Sequence, residues 1–274
     1  MGKKRSKQPL PVLPPGVRVI DTHCHLDMLS ADEDVANLVS RAAGTGVGII
    51  ITVGINIESS RKAIRIAGTF ESVFATVGTH PHNVQELQDD SYTELEKLCH
   101  GNKVVALGEI GLDYVRQYAP PPMQREHFTR QVALAKKMSL PLVIHDREAH
   151  DDILIILEKQ APFPAGGVMH CFSGDWQFAQ KIMELGFMIS IPGVVTFKKA
   201  AALQEVARRI PLSSLILETD APFLAPEPLR GKRNVPEFML YTAEKIAELR
   251  SVSLAEVARV TTENALKLFN IVSP

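Results

Sequence analysis

Five of the nine histidines in this chain come directly after short apolar runs: His23 and His25 after the first, His80 after the third, His145 after the fifth and His170 after the sixth. Glu109 follows the fourth run and Asp220 the eighth. A lone histidine in such a place is most often a hydrogen-bonded polar residue or loop packing. Seven imidazoles and carboxylates delivered by apolar strands to one mouth are another matter, because burying them is costly unless cations or hydrogen bonds offset the loss of water. Divalent metal ions are the partners that such a set suits. In His23-Cys24-His25 the two imidazoles are two residues apart. In an extended chain they point the same way, able to chelate one ion, while Cys24 points to the opposite side and packs.

Glu109 lies in the segment GEIGLD. A carboxylate has two oxygens and can bridge two ions, which a single imidazole nitrogen cannot. His145 is followed by Asp146 and Arg147, and the Arg147 guanidinium is placed either to grip a phosphate or carboxylate or to form a structural salt bridge. Ser173-Gly174, after His170, reads equally as capping and turn chemistry. Asp220 is a candidate acceptor for a proton from activated water, with Glu218 orienting its neighbours. His80, before Pro81 and His82, is either a proton donor near a leaving group or a loop histidine without a task. The basic run Arg230-Gly231-Lys232-Arg233-Asn234 is either a polyanion contact or a solvated loop.

Eight apolar runs supply these groups: Val17–Asp21, Val47–Val53, Val73–Val77, Val104–Leu107, Leu140–Ile144, Gly167–Met169, Phe187–Ile191 and Leu215–Leu217. Helical patterns at three- and four-residue spacing separate them, as in Asp34–Ala43, Gln124–Lys137, Ala149–Lys159, Trp176–Leu185 and Ala200–Arg209. Two further helices close the chain, one with Pro236 in its first turn and one capped by Ser253 with Glu256. Alternating elements predict a parallel sheet, and eight strands without a G-x-G-x-x-G turn favour a closed barrel over a dinucleotide-binding sheet. The expected fold is a single α/β domain, a (β/α)8 TIM barrel over residues 17–274 with C-terminal helices and its site at the strand ends. Residues 1–16, with Lys3, Lys4, Arg5, Lys7 and four prolines, read as a mobile basic tail.

A composition of 45% apolar and 22% charged residues is that of a globular core and excludes disorder for most of the chain. With 30 basic and 31 acidic side chains, no global positive field gathers nucleic acid or membrane, so any phosphate recognition is local. Three scattered cysteines argue for a reducing compartment and a cytoplasmic location. There is no apolar stretch long enough for a membrane span and no sign of an organic cofactor.

Taken in order, the segments DTHCHLD, GTHPH, GEIGLD, HDREA, HCFSG, ETDAPFL and RGKRN resemble the motif series of the TatD-type metal-dependent deoxyribonucleases, amidohydrolase-like barrels, from about Asp21 to the C-terminus. The resemblance implies one ion held by His23, His25, Glu109 and Asp220, and a second held by Glu109, His145 and His170. It also implies 3′→5′ exonuclease action on DNA, with a part in repair, while the near-neutral charge favours a single-stranded or frayed end over duplex interior. Val235 stands where the family often has glutamate. Many related hydrolases carry a carbamylated lysine at the fourth strand, and this chain has Glu109 instead.

The expected chemistry is hydrolysis, with two divalent ions activating water for in-line attack on a phosphodiester, assisted by Asp220, Arg147 and His80. Mixed nitrogen and oxygen ligands suit zinc, manganese or iron better than calcium, and the resemblance adds magnesium. Tyr114 and Phe172, beside the motifs, either stack on unpaired bases or pack in the core. The rival reading keeps the ions but takes an ester, lactone or amide as substrate, such as D-aminoacyl-tRNA. A binding protein with a structural metal fits poorly, since such sites are closed and often thiolate-rich.

Overall fold

The computed structural model describes residues 9–272. Eight strands follow one another in parallel around a barrel: β1 (Val19–Cys24), β2 (Val47–Val53), β3 (Val73–Val77), β4 (Val104–Asp113), β5 (Leu142–Arg147), β6 (Gly167–Met169), β7 (Phe187–Ile191) and β8 (Leu215–Leu217). Among the described residues ten α-helices accompany them: α1 (Leu26–Leu29), α2 (Val35–Thr45), α3 (Ile57–Thr69), α4 (Asp89–Cys99), α5 (Pro121–Met138), α6 (His150–Gln160), α7 (Trp176–Glu184), α8 (Ala201–Arg209), α9 (Met239–Arg250) and α10 (Leu254–Leu268). β1 meets the end of β8 through Thr22, whose hydroxyl donates to the Leu217 carbonyl at 2.8 Å, and through His25 N–H to Ala221 O at 2.8 Å. The fold is thus the expected (β/α)8 barrel with two C-terminal helices.

Side chains alternate across each strand, so one face fills the barrel and the other meets the helices. Leu142, Ile144, Met169, Leu215 and Leu217 face outward into a large core shared with helix residues such as Leu38, Phe128, Val132, Ile153 and Leu157. Ile20, Ile51, Val143, Val168 and Ile216 form a separate inner cluster with Phe269 and Ile271 from the end of the chain. The last helix is tied to the strand starts, since Thr262 donates to Arg18 O and Asn264 donates to Leu215 O. Two residues beyond Val143 on the same face comes His145; beyond Val168 comes His170; beyond Ile216 come Glu218 and Asp220. The apolar filling therefore grades into the polar site along a single face.

Several boundaries differ from the expected ones. β1, β4 and β5 run on through Cys24, Asp113 and Arg147, past the last apolar residue of each run, while β1 and β5 begin two residues later than the runs suggested. Pro236 opens a short 3-10 turn, Pro236–Phe238, that leads into α9. Ser253 caps α10 through its hydroxyl, which accepts from Glu256 N–H at 3.1 Å. The helix after His170 is capped by Asp175, which accepts from Phe178 N–H, and not by Ser173. Residues 9–16, assigned to the tail, are partly packed: Leu13 is buried in the outer core and Pro14 accepts from Val17 N–H. Lys3, Lys4, Arg5 and Lys7 lie outside the described residues. Among those residues no helix is long and apolar enough to cross a membrane.

Candidate metal centre

Both strands that carry the central ligands are bulged at the ligand. In β1, Asp21 pairs with Ile50 and Cys24 with Thr52, so three residues oppose two; in β4, Leu107 pairs with Leu142 and Ile110 with Ile144, again three against two. A one-residue bulge re-aims the side chains around it. Here the re-aimed residues include His23 and Glu109. Beside the β4 bulge, Gly111 has φ 145° and lies so close to β5 that a Cβ there would sit 1.9 Å from the carbonyl oxygen of His145. Only glycine allows this approach. Asp21, buried at the base of the site, accepts from the Thr219 hydroxyl at 2.6 Å and the Thr219 N–H at 2.9 Å, clamping β1 to the end of β8.

Glu109 is the hub. Its Oε2 lies 3.4 Å from His23 Nε2 and 3.9 Å from His25 Nε2. Its Oε1 lies 2.9 Å from His145 Nδ1, 2.9 Å from His170 Nε2 and 3.3 Å from His80 Nε2. Each oxygen of one carboxyl thus addresses a different set of imidazoles. Asp220 joins the first set, with Oδ1 3.3 Å from His25 Nε2 and 3.8 Å from His23 Nε2. Among the described residues, His23–His25–Asp220, His23–Glu109–His170 and His80–Glu109–His145 each bring together three atoms that could hold an ion. Every expected ligand is therefore in one place, and His80 stands with them.

Burial alone would raise the Glu109 carboxyl, yet His170, His80 and His23 around it hold it well below the usual carboxylate range. Asp220 is likewise lowered against its burial, chiefly by the hydrogen bond from His25. His170 is raised well above an ordinary imidazole because Glu109 and Glu218 outweigh its burial, whereas burial lowers His23. Both ring nitrogens of His23 and of His170, with His25 Nδ1, are buried and make no well-directed hydrogen bond, although carboxylate oxygens lie close to them. Such orphaned nitrogens facing carboxylates fit divalent cations, which would accept the lone pairs and offset the clustered negative charge.

The remaining groups surround this hub in a cavity of about 640 Å³. Asp113 sits fully buried at the end of β4, with one oxygen accepting from Val115 and Arg116 N–H and the other 2.7 Å from His82 Nε2 and 3.5 Å from His145 Nε2. A carboxylate behind a ligand histidine fixes its tautomer and orientation. Glu218 does the corresponding work on the other side, accepting from Cys171 N–H at 2.6 Å and lying 3.5 Å from His170 Nδ1. His82 N–H donates to His80 Nδ1 at 3.1 Å, so the proton of a neutral His80 rests on Nε2. Burial lowers its pKa to about 4, which keeps it neutral. Arg147 is exposed and lines the cavity together with Arg116.

The alternatives left open for Tyr114, Phe172 and the basic loop resolve here. Tyr114 donates its hydroxyl to Asp152 at 2.5 Å and receives Arg125, and Phe172 is buried in a stack on Phe178. Neither is free to meet a base. The basic loop is largely structural: Arg233 donates to the carbonyls of Met28 and Leu29, Arg230 lies over Phe197, and Asn234 is buried, donating to Thr219 O and Phe223 O. Cys24 is buried in the outer core, as its alternation requires. Asp113 and His82 stand in the motifs GEIGLD and GTHPH, but residue type alone gives neither a role. The alternation from Glu109 through Gly111 to Asp113 on one strand was the available signal.

A barrel of this topology with this ligand set is that of a metal-dependent hydrolase. Residues 20–270 match the family model described as TatD related DNase. The uncharacterized metal-dependent hydrolase YabD of Bacillus subtilis (strain 168) is 40% identical over 253 residues, covering 92% of this chain and 99% of that protein. YcfH of Escherichia coli (strain K12), also an uncharacterized metal-dependent hydrolase, is 38% identical over 92% of this chain and 96% of its own length. The crystal structure of YjjV, a TatD homolog from Escherichia coli K12, superposes with a TM-score of 0.87 at 34% identity, covering 93% of this chain and 99% of that one. The chain belongs to the TatD-related DNase family.

Proposed function

We propose that the protein is a two-metal deoxyribonuclease that shortens single-stranded or frayed DNA from the 3′ end. The observation that carries this reading is the division of the Glu109 carboxyl, one oxygen toward His23 and His25 and the other toward His145 and His170. On this reading His23, His25 and Asp220 would hold one ion and His145 and His170 the other, with Glu109 serving both. The family description supplies DNA as the substrate class. Zinc, manganese and magnesium are the candidate metals.

When bound, divalent ions supply Lewis acidity at a phosphoryl oxygen and make water a nucleophile at neutral pH. The chain's own residues do the rest. Asp220, the more accessible of the two central carboxylates, with 13% of its side chain exposed against 4% for Glu109, faces the cavity and accepts the proton shed by attacking water. Arg147 offsets charge developing on the phosphate. His80, neutral and with its proton on Nε2, is a donor for the departing oxygen. Asp113 and Glu218 keep His145 and His170 aimed at the centre.

The test is degradation of a 5′-labelled single-stranded oligonucleotide in magnesium, manganese or zinc, resolved by length. Progressive loss from the 3′ end, absent in Glu109→Gln, is the expected result. Intact DNA alongside rapid turnover of a simple ester or of D-aminoacyl-tRNA overturns the nuclease reading.

A further inference from the structure

Exposed aromatic rings are scarce on this molecule. Among the described residues only Tyr118, 60% exposed, and Phe223, 49% exposed, are large aromatic side chains open to solvent, and both line the mouth of the metal-site cavity. They occupy opposite flanks. Phe223 packs at 72° against His25, with ring centroids 5.9 Å apart, while Tyr118 packs at 75° against His82, 4.8 Å away, on the side of His80 and His145. At this exposure about half of each residue's surface is open to solvent. Apolar neighbours accompany each ring: Val115 lies in the Tyr118 loop, and Leu224 follows Phe223.

Neither ring is displayed by accident of a loose loop. Phe223 N–H donates to Asp220 O at 2.8 Å, and its carbonyl accepts from the buried Asn234 side chain at 2.7 Å. The next residue, Leu224, adopts φ 54°, an uncommon conformation for a branched side chain. Its carbonyl oxygen packs against Gly193, where a Cβ would come within 2.7 Å. On the other flank, Ala119, directly after Tyr118, is buried with its carbonyl accepting from Gln124, and Arg116 N–H is fixed on Asp113. Arg116 also reaches the Tyr118 hydroxyl at 3.4 Å. Rigidly held aromatic surface beside a catalytic centre, with Arg116 and Arg147 in the same cavity, fits a ligand that carries flat apolar faces on an anionic chain.

We infer that Phe223 and Tyr118 are two stacking platforms for nucleobases on either side of the reacting phosphodiester. Paired bases bury their faces against one another, so the platforms select an unpaired strand. They require bases and are indifferent to base identity, because every base presents a π-face. This rests on the nuclease reading above and adds what determines its preference for single strands.

The experiment compares two single-stranded oligonucleotides, one intact and one with abasic residues at its 3′-terminal positions, and a third carrying 2-aminopurine there. For the intact strand, Phe223→Ala and Tyr118→Ala are each expected to raise KM roughly tenfold. For the abasic strand, KM should be nearly the same in wild type and variants. Phe223→Trp and Tyr118→Trp should restore binding, and stacking should quench 2-aminopurine in wild type and not in the alanine variants. Ile155→Ala, a remote exposed apolar residue, serves as the control for surface effects. Cleavage by wild type that ignores the missing bases, or quenching that survives both alanine variants, overturns the platforms and leaves the nuclease intact. Wild type that neither binds nor cuts any strand while hydrolysing esters overturns both readings, and the two failures are thereby told apart.

Discussion

The two ends of the barrel are built from the same strand faces and do opposite things. At the strand starts, Ile20, Ile51, Val143, Val168 and Ile216 pack with Phe269 and Ile271 in one apolar cluster. At the strand ends, His23, Glu109 and His170 are buried and His145 and Asp220 half-buried, and the three histidines carry unsatisfied ring nitrogens. The first end gains free energy from burial, on the order of 1.5–3 kcal/mol for each large aliphatic side chain. The second end forgoes that gain and holds charge in a poorly solvated place. A folded barrel thus carries its stability at one end and its chemistry at the other.

Substitutions at each end sharpen the contrast. Glu109→Gln is expected to lower turnover by roughly a thousandfold or more, since it weakens both halves of the centre together, and to reduce the bound metal measured by elemental analysis. Two ions retained tightly by this variant would remove Glu109 from its shared position. At the other end, Ile216→Ala should cost about 2–5 kcal/mol in denaturant unfolding, with turnover per folded molecule unchanged. A loss of turnover without a loss of stability there would erase the distinction between the ends.

Smaller effects probe how the polar end is held. Asp113→Asn should weaken metal binding by about 10- to 100-fold, read by competition with a chelating dye, because His145 loses the carboxylate behind it. Metal affinity should also climb with pH. His170 and His145 have folded-state pKa values above the ordinary imidazole value, raised against burial by Glu109 with Glu218 and by Asp113 with Glu109 respectively. Each must be neutral to ligate, so protons compete with the ion below those values and cease to compete above them. Titration calorimetry in buffers of different ionisation enthalpy should show proton release that shrinks as pH rises, and release independent of pH would contradict the ligand roles.

Much of this was legible from residue types and order. Eight apolar runs and the polar residues behind them indicated the barrel and gathered His23, His25, Glu109, His145, His170 and Asp220 into one mouth. Strand ends were less legible, because β4 and β5 continue through Glu109 to Asp113 and through His145 to Arg147. Hydrophobicity drops where a strand face turns toward a site, although the backbone pairing goes on. The aromatic residues were harder still. Tyr114 and Phe172 adjoin the motifs, yet one is engaged with Asp152 and the other is core, while the rings open to the cavity are Tyr118 and Phe223. Which side of a loop faces water depends on anchors such as Asn234 and Gln124, which lie beyond the loops they hold and carry no periodic signal.

Gly111 has a consequence for how this chain tolerates change. It has no side chain to ligate anything, but its backbone rests on that of His145 so closely that alanine there must push β4 and β5 apart. The spacing between the candidate ligands Glu109 and His145 is therefore set by the smallest residue in the neighbourhood. A methyl group at this position, far less drastic on paper than a lost histidine, would move two of the centre's members relative to each other without touching the chemistry of either.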